Sequence, residues 1–306
     1  MDAPQSTAAD DARTDEPTWS PPLPDAAGFE HAVVETPGLR SHVASIGDGE
    51  PILLLHGFPE HWWQWHAIAP RLAEQGYRAI CPDLRGAGWT EADDGRIAHE
   101  TRLHDLTAML DVLGVGRVHV LAHDLGAITG MHLAYTHPDR VRSLVQLSVP
   151  PGFMRFTPKL MPAFRHYPPL LMGGHRRSLR WLLAAPYCAT PMSEETIDAY
   201  LRVEVRDEVS HATRRVLLGM IRPEMMRLVG TYYKRRRLQV PTLVAFGSQD
   251  GPFTENTVRR ISRDHQMRAD TFELAFIEGA AHFVTDDAPG AVTDLALDWF
   301  ARHSGR

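Results

Sequence analysis

The chain has 306 residues, 43% of them hydrophobic, enough for one sizeable core with an insertion or for two small domains. The formal net charge is −6 with acids and bases interspersed, which points away from nucleic acid or a membrane surface as partner. Two cysteines, Cys81 and Cys188, give little support to a disulfide and favour a reduced, cytoplasmic protein.

Residues 1–28 are acidic and rich in Pro and Ala, with no basic or apolar region of the signal-peptide kind. They read as a loose tail. No apolar run approaches the roughly 20 residues of a membrane span. Ala32–Val34 and Ser41–Ala44 predict a leading hairpin. Pro51–Leu55 is a continuous apolar run ending at His56-Gly57, the pattern of a strand buried on both faces. Residues 62–75 predict one helix with Trp65, Ile68, Ala69 and Leu72 on a shared face. Tyr77–Cys81 predicts a strand. Leu103, Leu106, Leu110 and Leu113 mark an amphipathic helix. Val118–Leu121 predicts a strand, 128–136 a helix and Val141–Val149 another strand. Residues 150–237 hold no clear strand and are Pro-punctuated and rich in Met and Leu, which predicts a helical insertion. The strand–helix rhythm returns with Val240–Phe246, a helix near 253–264, a strand at 272–277 and a last helix near 287–302. The reading is an α/β fold with a mostly parallel sheet covered by helices on both faces. The core comprises 29–149 and 238–306, and 150–237 forms a cap over the carboxyl ends of the strands, where ligands bind in such sheets.

The chemistry centres on Leu121-Ala122-His123-Asp124-Leu125-Gly126-Ala127, between a strand and a helix. A nucleophile on such a turn needs small neighbours, and Ala122, Gly126 and Ala127 supply them. An aspartate there suits attack on an sp³ carbon bearing a leaving group, giving an alkyl ester, so epoxides and alkyl halides are the candidate substrates. Taken alone, Asp124 could equally be a helix N-cap. Phe246-Gly247-Ser248-Gln249-Asp250 closes an apolar strand and puts Asp250 at its end, where an Asp-Gly turn is the plainer alternative. Glu278-Gly279-Ala280-Ala281-His282 follows the last strand; by itself His282 is one of 17 histidines. The order Asp124, Asp250, His282 is nucleophile, acid, base, as this arrangement requires. His56-Gly57-Phe58-Pro59-Glu60 follows a strand, and the N–H groups of Phe58 and Leu125 can form an oxyanion hole, with a cis bond at Pro59 as one way to hold the loop.

These motifs, with Trp62-Trp63-Gln64-Trp65 and Asp83-Leu84-Arg85-Gly86-Ala87-Gly88, resemble the epoxide hydrolase branch of the α/β-hydrolase superfamily over about residues 30–303. The resemblance implies an eight-stranded sheet with the helical cap inserted after the sixth strand. It assigns Asp124 as nucleophile, His282 as base and Asp250 as its orienting acid. Gln146-Leu147-Ser148-Val149, the alternative place for that acid, has no carboxylate. The family uses cap tyrosines to donate to the epoxide oxygen. Tyr233 in Gly230-Thr231-Tyr232-Tyr233-Lys234 matches the second. The segment Ser178–Pro186 corresponds to the first and has no tyrosine, leaving Trp181, Tyr167 or His175 as substitutes. Trp63, His123 and Tyr232, inside the same motifs, are further substrate-binding candidates.

The implied partners are a small hydrophobic epoxide and water. No metal or organic cofactor is expected, since the histidines show no metal-ligand spacing. Monomer or homodimer is not legible. The nearest rival is a haloalkane or haloacid dehalogenase with the same aspartate. Haloalkane dehalogenases usually carry Trp after the nucleophile and Asn after His-Gly, where this chain has Leu125 and Phe58. Fluoroacetate dehalogenases carry arginines after the nucleophile, where this chain has Leu125 and Ile128. A non-catalytic binding protein on this fold is the remote alternative; it would be marked by loss of a triad member, and none is lost.

Overall fold

The computed structural model describes residues 18–172 and 178–304. Nine strands form one sheet: β1 (Glu30–Thr36), β2 (Leu39–Ile46), β3 (Glu50–Leu55), β4 (Tyr77–Pro82), β5 (Glu91–Ala92), β6 (Val118–His123), β7 (Val141–Leu147), β8 (Thr242–Gly247) and β9 (Phe272–Ile277). The order is β1-β2-β4-β3-β6-β7-β8-β9. The β1–β2 hairpin pairs Glu30 with Ser45 through Thr36 with Leu39, closed by Gly38 at φ +78°. From β4 to β9 every pair along this path is parallel. Eight strands were expected; the ninth is the two-residue β5 on the edge of β2, too short to leave a periodic signal.

The parallel strands are apolar on both faces because both faces are covered. In β3, Leu53 and Leu55 join the core beneath α2 (His99–Val112) and α3 (Asp124–Thr136). Ile52 and Leu54 join the core that holds Trp65, Leu72, Trp299 and Phe300 on the opposite face. Each such side chain stabilises the fold by about 1.5–3 kcal/mol.

The single helix expected over 62–75 is broken. A 3₁₀ turn spans Trp62–Trp65, and α1 (Ala69–Glu74) starts afresh with Pro70 in its first turn, where the missing N–H costs nothing. The face is nonetheless shared: Trp65, Ile68, Ala69 and Leu72 are all fully buried. The described part of the expected tail, 18–28, is docked rather than loose. Trp19 packs edge-on against His42 with ring centroids 4.6 Å apart. The carbonyls of Pro21 and Asp25 accept the indole N–H groups of Trp89 (2.6 Å) and Trp63 (3.0 Å). A packed indole needs such an acceptor, and this segment provides it. Residues 1–17 lie outside the described residues. Between β7 and β8 the named elements among the described residues are all helical, from Pro158–Phe164 to Tyr233–Arg235.

Candidate active site

β3 and β6 lie side by side, and from β3 the chain winds to β4 on one side while β6 leads to β7 on the other. Their carboxyl ends therefore open at a switch point of the sheet, where ligands bind. Asp124 stands there as the first residue of α3, at φ +45°. A non-glycine residue in that region costs about 1–2 kcal/mol, so the surroundings must enforce it. They do so by close approach. A Cβ on Gly126 would lie 2.2 Å from the Leu55 carbonyl oxygen and 2.5 Å from that of His56. A Cβ on Gly57 would lie 2.5 Å from Glu60 Oε2 and 2.6 Å from His123 Nδ1. With both side chains absent, the Phe58 N–H reaches Asp124 Oδ2 at 3.1 Å. The Phe58–Pro59 bond is cis.

His282 faces this carboxylate. Its Nε2 is 3.7 Å from Asp124 Oδ1, an ion-pair distance, and its Nδ1 is 3.4 Å from Asp250 Oδ2. Burial alone would raise the Asp124 carboxyl; hydrogen bonding and charge from His282, then His123 and the Leu125 amide, hold it well below the usual carboxylate range. Burial alone would lower His282; Asp250 and Asp124 push it well above the usual histidine value. Each of the two groups thus favours the charged form of the other.

The loop carrying His282 is pinned through its backbone. The His282 carbonyl accepts from Ser148 Oγ at 2.8 Å and from His123 Nε2 at 2.9 Å. Its N–H donates to the Tyr187 carbonyl at 2.9 Å. His123 Nδ1 is 3.0 Å from Glu60 Oε2. Burial lowers His123, but the Glu60 carboxylate outweighs it and the ring is raised overall, which suits a ring donating from both nitrogens. Asp83 organises the wall behind: it accepts the N–H groups of Trp62 (2.8 Å) and Trp89 (2.9 Å) and lies 2.7 Å from His42 Nδ1.

A cavity of about 590 Å³ opens over Asp124 and His282. Most of its wall is apolar, including Ile128, Met131, Val149, Leu217 and Phe253. Phe58, Leu125, Asp250 and Tyr167 line it with Asp124 and His282. Other candidates do not reach it. Tyr233 is buried; its ring packs on the bare Cα of Gly152, and its hydroxyl donates to Glu224 Oε1 at 2.6 Å and lies 2.8 Å from His132 Nε2. Tyr232 is clasped by the guanidinium groups of Arg227 and Arg236 at 5.2 and 3.9 Å from its ring centroid. Trp63 stacks on His66, and His123 is spent on Glu60 and the His282 carbonyl. Trp181 packs, half-buried, into the apolar cluster of Leu182 and Val216. His175 lies outside the described residues. Sequence reasoning missed Ser148, His166, Tyr187 and Glu224 on the cavity wall. Ser148, at φ +59°, sits in the stretch searched only for a carboxylate, and its hydroxyl does the positioning instead.

Among curated proteins, the chain is 43% identical over 134 residues to epoxide hydrolase 2 of Siraitia grosvenorii, covering 43% of this chain and 42% of that protein. The match thus spans well under half of that relative's length. It is 28% identical over 283 residues to the soluble epoxide hydrolase of Corynebacterium sp. (strain C12), covering 86% of this chain and 94% of that one. Among solved structures, a laboratory-evolved variant of potato epoxide hydrolase StEH1 is 27% identical with a TM-score of 0.73, over 90% of this chain and 99% of that one. The family model described as alpha/beta hydrolase fold matches residues 50–289, and with the sheet order and the strand–turn–helix at Asp124 on the page, the chain belongs to that family.

Proposed function

We propose that this protein hydrolyses epoxides to vicinal diols through a covalent ester on Asp124. The observation that carries the reading is a carboxylate on the strained turn, held at φ +45° in an apolar cavity with His282 3.7 Å away. The names of the relatives at 28% and 43% identity support the same substrate class.

In the first step an Asp124 oxygen attacks one epoxide carbon, the C–O bond breaks, and the alkoxide takes a proton. Tyr167 is the donor: its phenol lines the cavity, whereas the Tyr233 hydroxyl is occupied by Glu224. Forming the ester removes the negative charge that holds the His282 proton. His282 then passes its proton to the Tyr167 phenolate, which restores the phenol and leaves the imidazole as the base that the second step needs. Water, deprotonated by His282, attacks the ester carbonyl, with the Phe58 and Leu125 N–H groups receiving the oxyanion. Asp250 keeps the ring oriented. The tetrahedral intermediate collapses and the bond from the Asp124 carbonyl carbon to the alkoxide oxygen breaks. The expelled alkoxide takes the proton of the added hydroxyl, and the diol leaves with Asp124 again a carboxylate. Glycines 57 and 126 serve this chemistry by letting the two loops close on the carboxylate.

The helical stretch 150–237 acts as the cap, since Leu160, Tyr167, Leu182 and Leu217 from it complete the cavity wall. The mainly apolar wall fits a bulky hydrophobic epoxide. No helix among the described residues is long and apolar enough to cross a membrane, and both cysteines are free and buried, which supports a reducing, cytoplasmic setting. A dehalogenase shares the first step, but Leu125 and Ile128 line the wall beside Asp124 and offer a halide or carboxylate neither N–H donor nor charge from their side chains. The test is a His282→Gln variant incubated with an epoxide panel. An adduct mapped by mass spectrometry to the Asp124 peptide supports the reading. Halide release from a parallel panel of alkyl halides with no diol from the epoxides, or full activity in Asp124→Ala, overturns it.

A further inference from the structure

Three ligand-type side chains from distant parts of the chain meet behind the cavity wall, which Glu224 alone of the three lines. His99 opens α2, His132 lies in α3, and Glu224 belongs to the cap helix Arg222–Val229. All three are buried, and one nitrogen or oxygen from each lies within 4.8 Å of the others. His132 Nε2 is 2.7 Å from Glu224 Oε2, and His99 Nε2 is 3.6 Å from the same oxygen. The two imidazoles stack with centroids 4.3 Å apart. The Tyr233 hydroxyl touches both His132 Nε2 (2.8 Å) and Glu224 Oε1 (2.6 Å).

We propose that His99, His132 and Glu224 form a zinc site that ties the cap to the core, with the Tyr233 oxygen beside it as a fourth ligand. Two imidazoles and a carboxylate are a donor set that zinc takes. With bonds of about 2.0–2.1 Å, tetrahedral ligand atoms stand about 3.4 Å apart. His132 Nε2 and Glu224 Oε2, 2.7 Å apart, stand inside that spacing, so a small side-chain shift opens them to the ion. His99 Nε2 spends its N–H on the Met220 carbonyl, so the nitrogen left with a lone pair for the ion is Nδ1, which is buried without a hydrogen-bond partner. The ring is held by the Met220 carbonyl, 3.0 Å from its Nε2, presented by the π-helical turn Leu217–Ile221. Such turns recur at functional sites.

One cation opposes the ion. Arg227 Nη1 is 3.3 Å from His132 Nε2 and 3.7 Å from Glu224 Oε2. The same guanidinium is drawn outward by Glu100 at 2.5 Å, so it has a counter-charge to retreat to. This gives the site a signed test. A structural hydrogen-bond cluster loses a partner when Arg227 is removed, whereas a zinc site loses a repulsion.

The experiment strips the full chain with a chelator, adds zinc salt, dialyses, and measures retained metal together with a zinc titration. About one zinc per chain is expected to remain. Glu224→Gln and His99→Gln should each weaken binding by roughly 100-fold or abolish it, and Arg227→Gln should tighten it by about tenfold. Circular dichroism confirms that each variant is folded; if Glu224→Gln is not, His99→Gln and Arg227→Gln still decide. Zinc retained equally by wild type and His99→Gln would assign it to surface histidines and overturn the proposal, as would weaker binding in Arg227→Gln or no retained zinc. The readout is bound metal rather than turnover, so it stands apart from the Asp124 chemistry.

Discussion

Asp286→Asn should remove a decline in stability with pH that the wild-type protein carries. Asp286 accepts the Tyr200 hydroxyl at 2.8 Å and the Thr285 hydroxyl at 3.1 Å. Burial first, and then the charge of Glu60, push its carboxyl up to about 8. An unfolded aspartate titrates near ~3.9. The folded state therefore holds a proton that the unfolded state has released. That stabilisation is fully present below the unfolded value, falls as pH rises, and is gone once pH passes the folded value. At about 1.36 kcal/mol per pH unit, the ceiling across the window is about 6 kcal/mol. Local relaxation around the charged carboxyl should bring the loss to about 2–3 kcal/mol. Asparagine keeps one acceptor oxygen for the Tyr200 hydroxyl, places an amide N–H where the protonated carboxyl carries its O–H, and has no titrating proton. Urea unfolding of both proteins at pH 5, 6, 7 and 8 reads the difference. The advantage of Asp286→Asn should grow steadily with pH. A difference that stays flat across the series refutes the reasoning.

Tyr167→Phe should lower the rate of Asp124 alkylation by about 100-fold, measured by single-turnover adduct formation, because it removes the donor to the alkoxide. Tyr233→Phe should instead cost about 1–2 kcal/mol of stability in urea, since buried Glu224 loses a donor at 2.6 Å. Activity lost in the second and kept in the first would reverse the assignment. Ser148→Ala removes one of three hydrogen bonds to the His282 carbonyl and should cost about 1 kcal/mol, with a lowered kcat and little change in KM. Gly126→Ala forces a methyl onto the Leu55 and His56 carbonyls; a loss above about 4 kcal/mol or failure to fold is expected, read by thermal unfolding.

The core was legible because a parallel strand buried on both faces must be an apolar run, as Ile52–Leu55 is. The placement of Asp124, Asp250 and His282 was legible for a related reason. Each follows a strand at its carboxyl end, so local spacing alone brings them to one edge, where the structure holds them within 3.7 Å of each other in sequence Asp124, His282, Asp250. The cap resisted reading. Whether Tyr233 faces the cavity depends on Glu224, nine residues away, and on His132, 101 residues away. No local pattern encodes that pairing. The His99, His132 and Glu224 cluster was invisible to a search for metal spacing because its members come from three elements. The docking of Trp19 was hidden because acidic, Pro-rich composition says nothing about which indole N–H groups elsewhere need an acceptor.

The central claim is that Asp124 becomes an ester whose carbonyl water attacks. A single turnover in water enriched in heavy oxygen, with excess enzyme and an epoxide, tests it most directly. The account predicts that the Asp124 peptide gains heavy oxygen while the first-formed diol takes its new oxygen from the unlabelled carboxylate. Heavy oxygen in the diol with none in the Asp124 peptide would contradict it, because water would then have opened the epoxide itself.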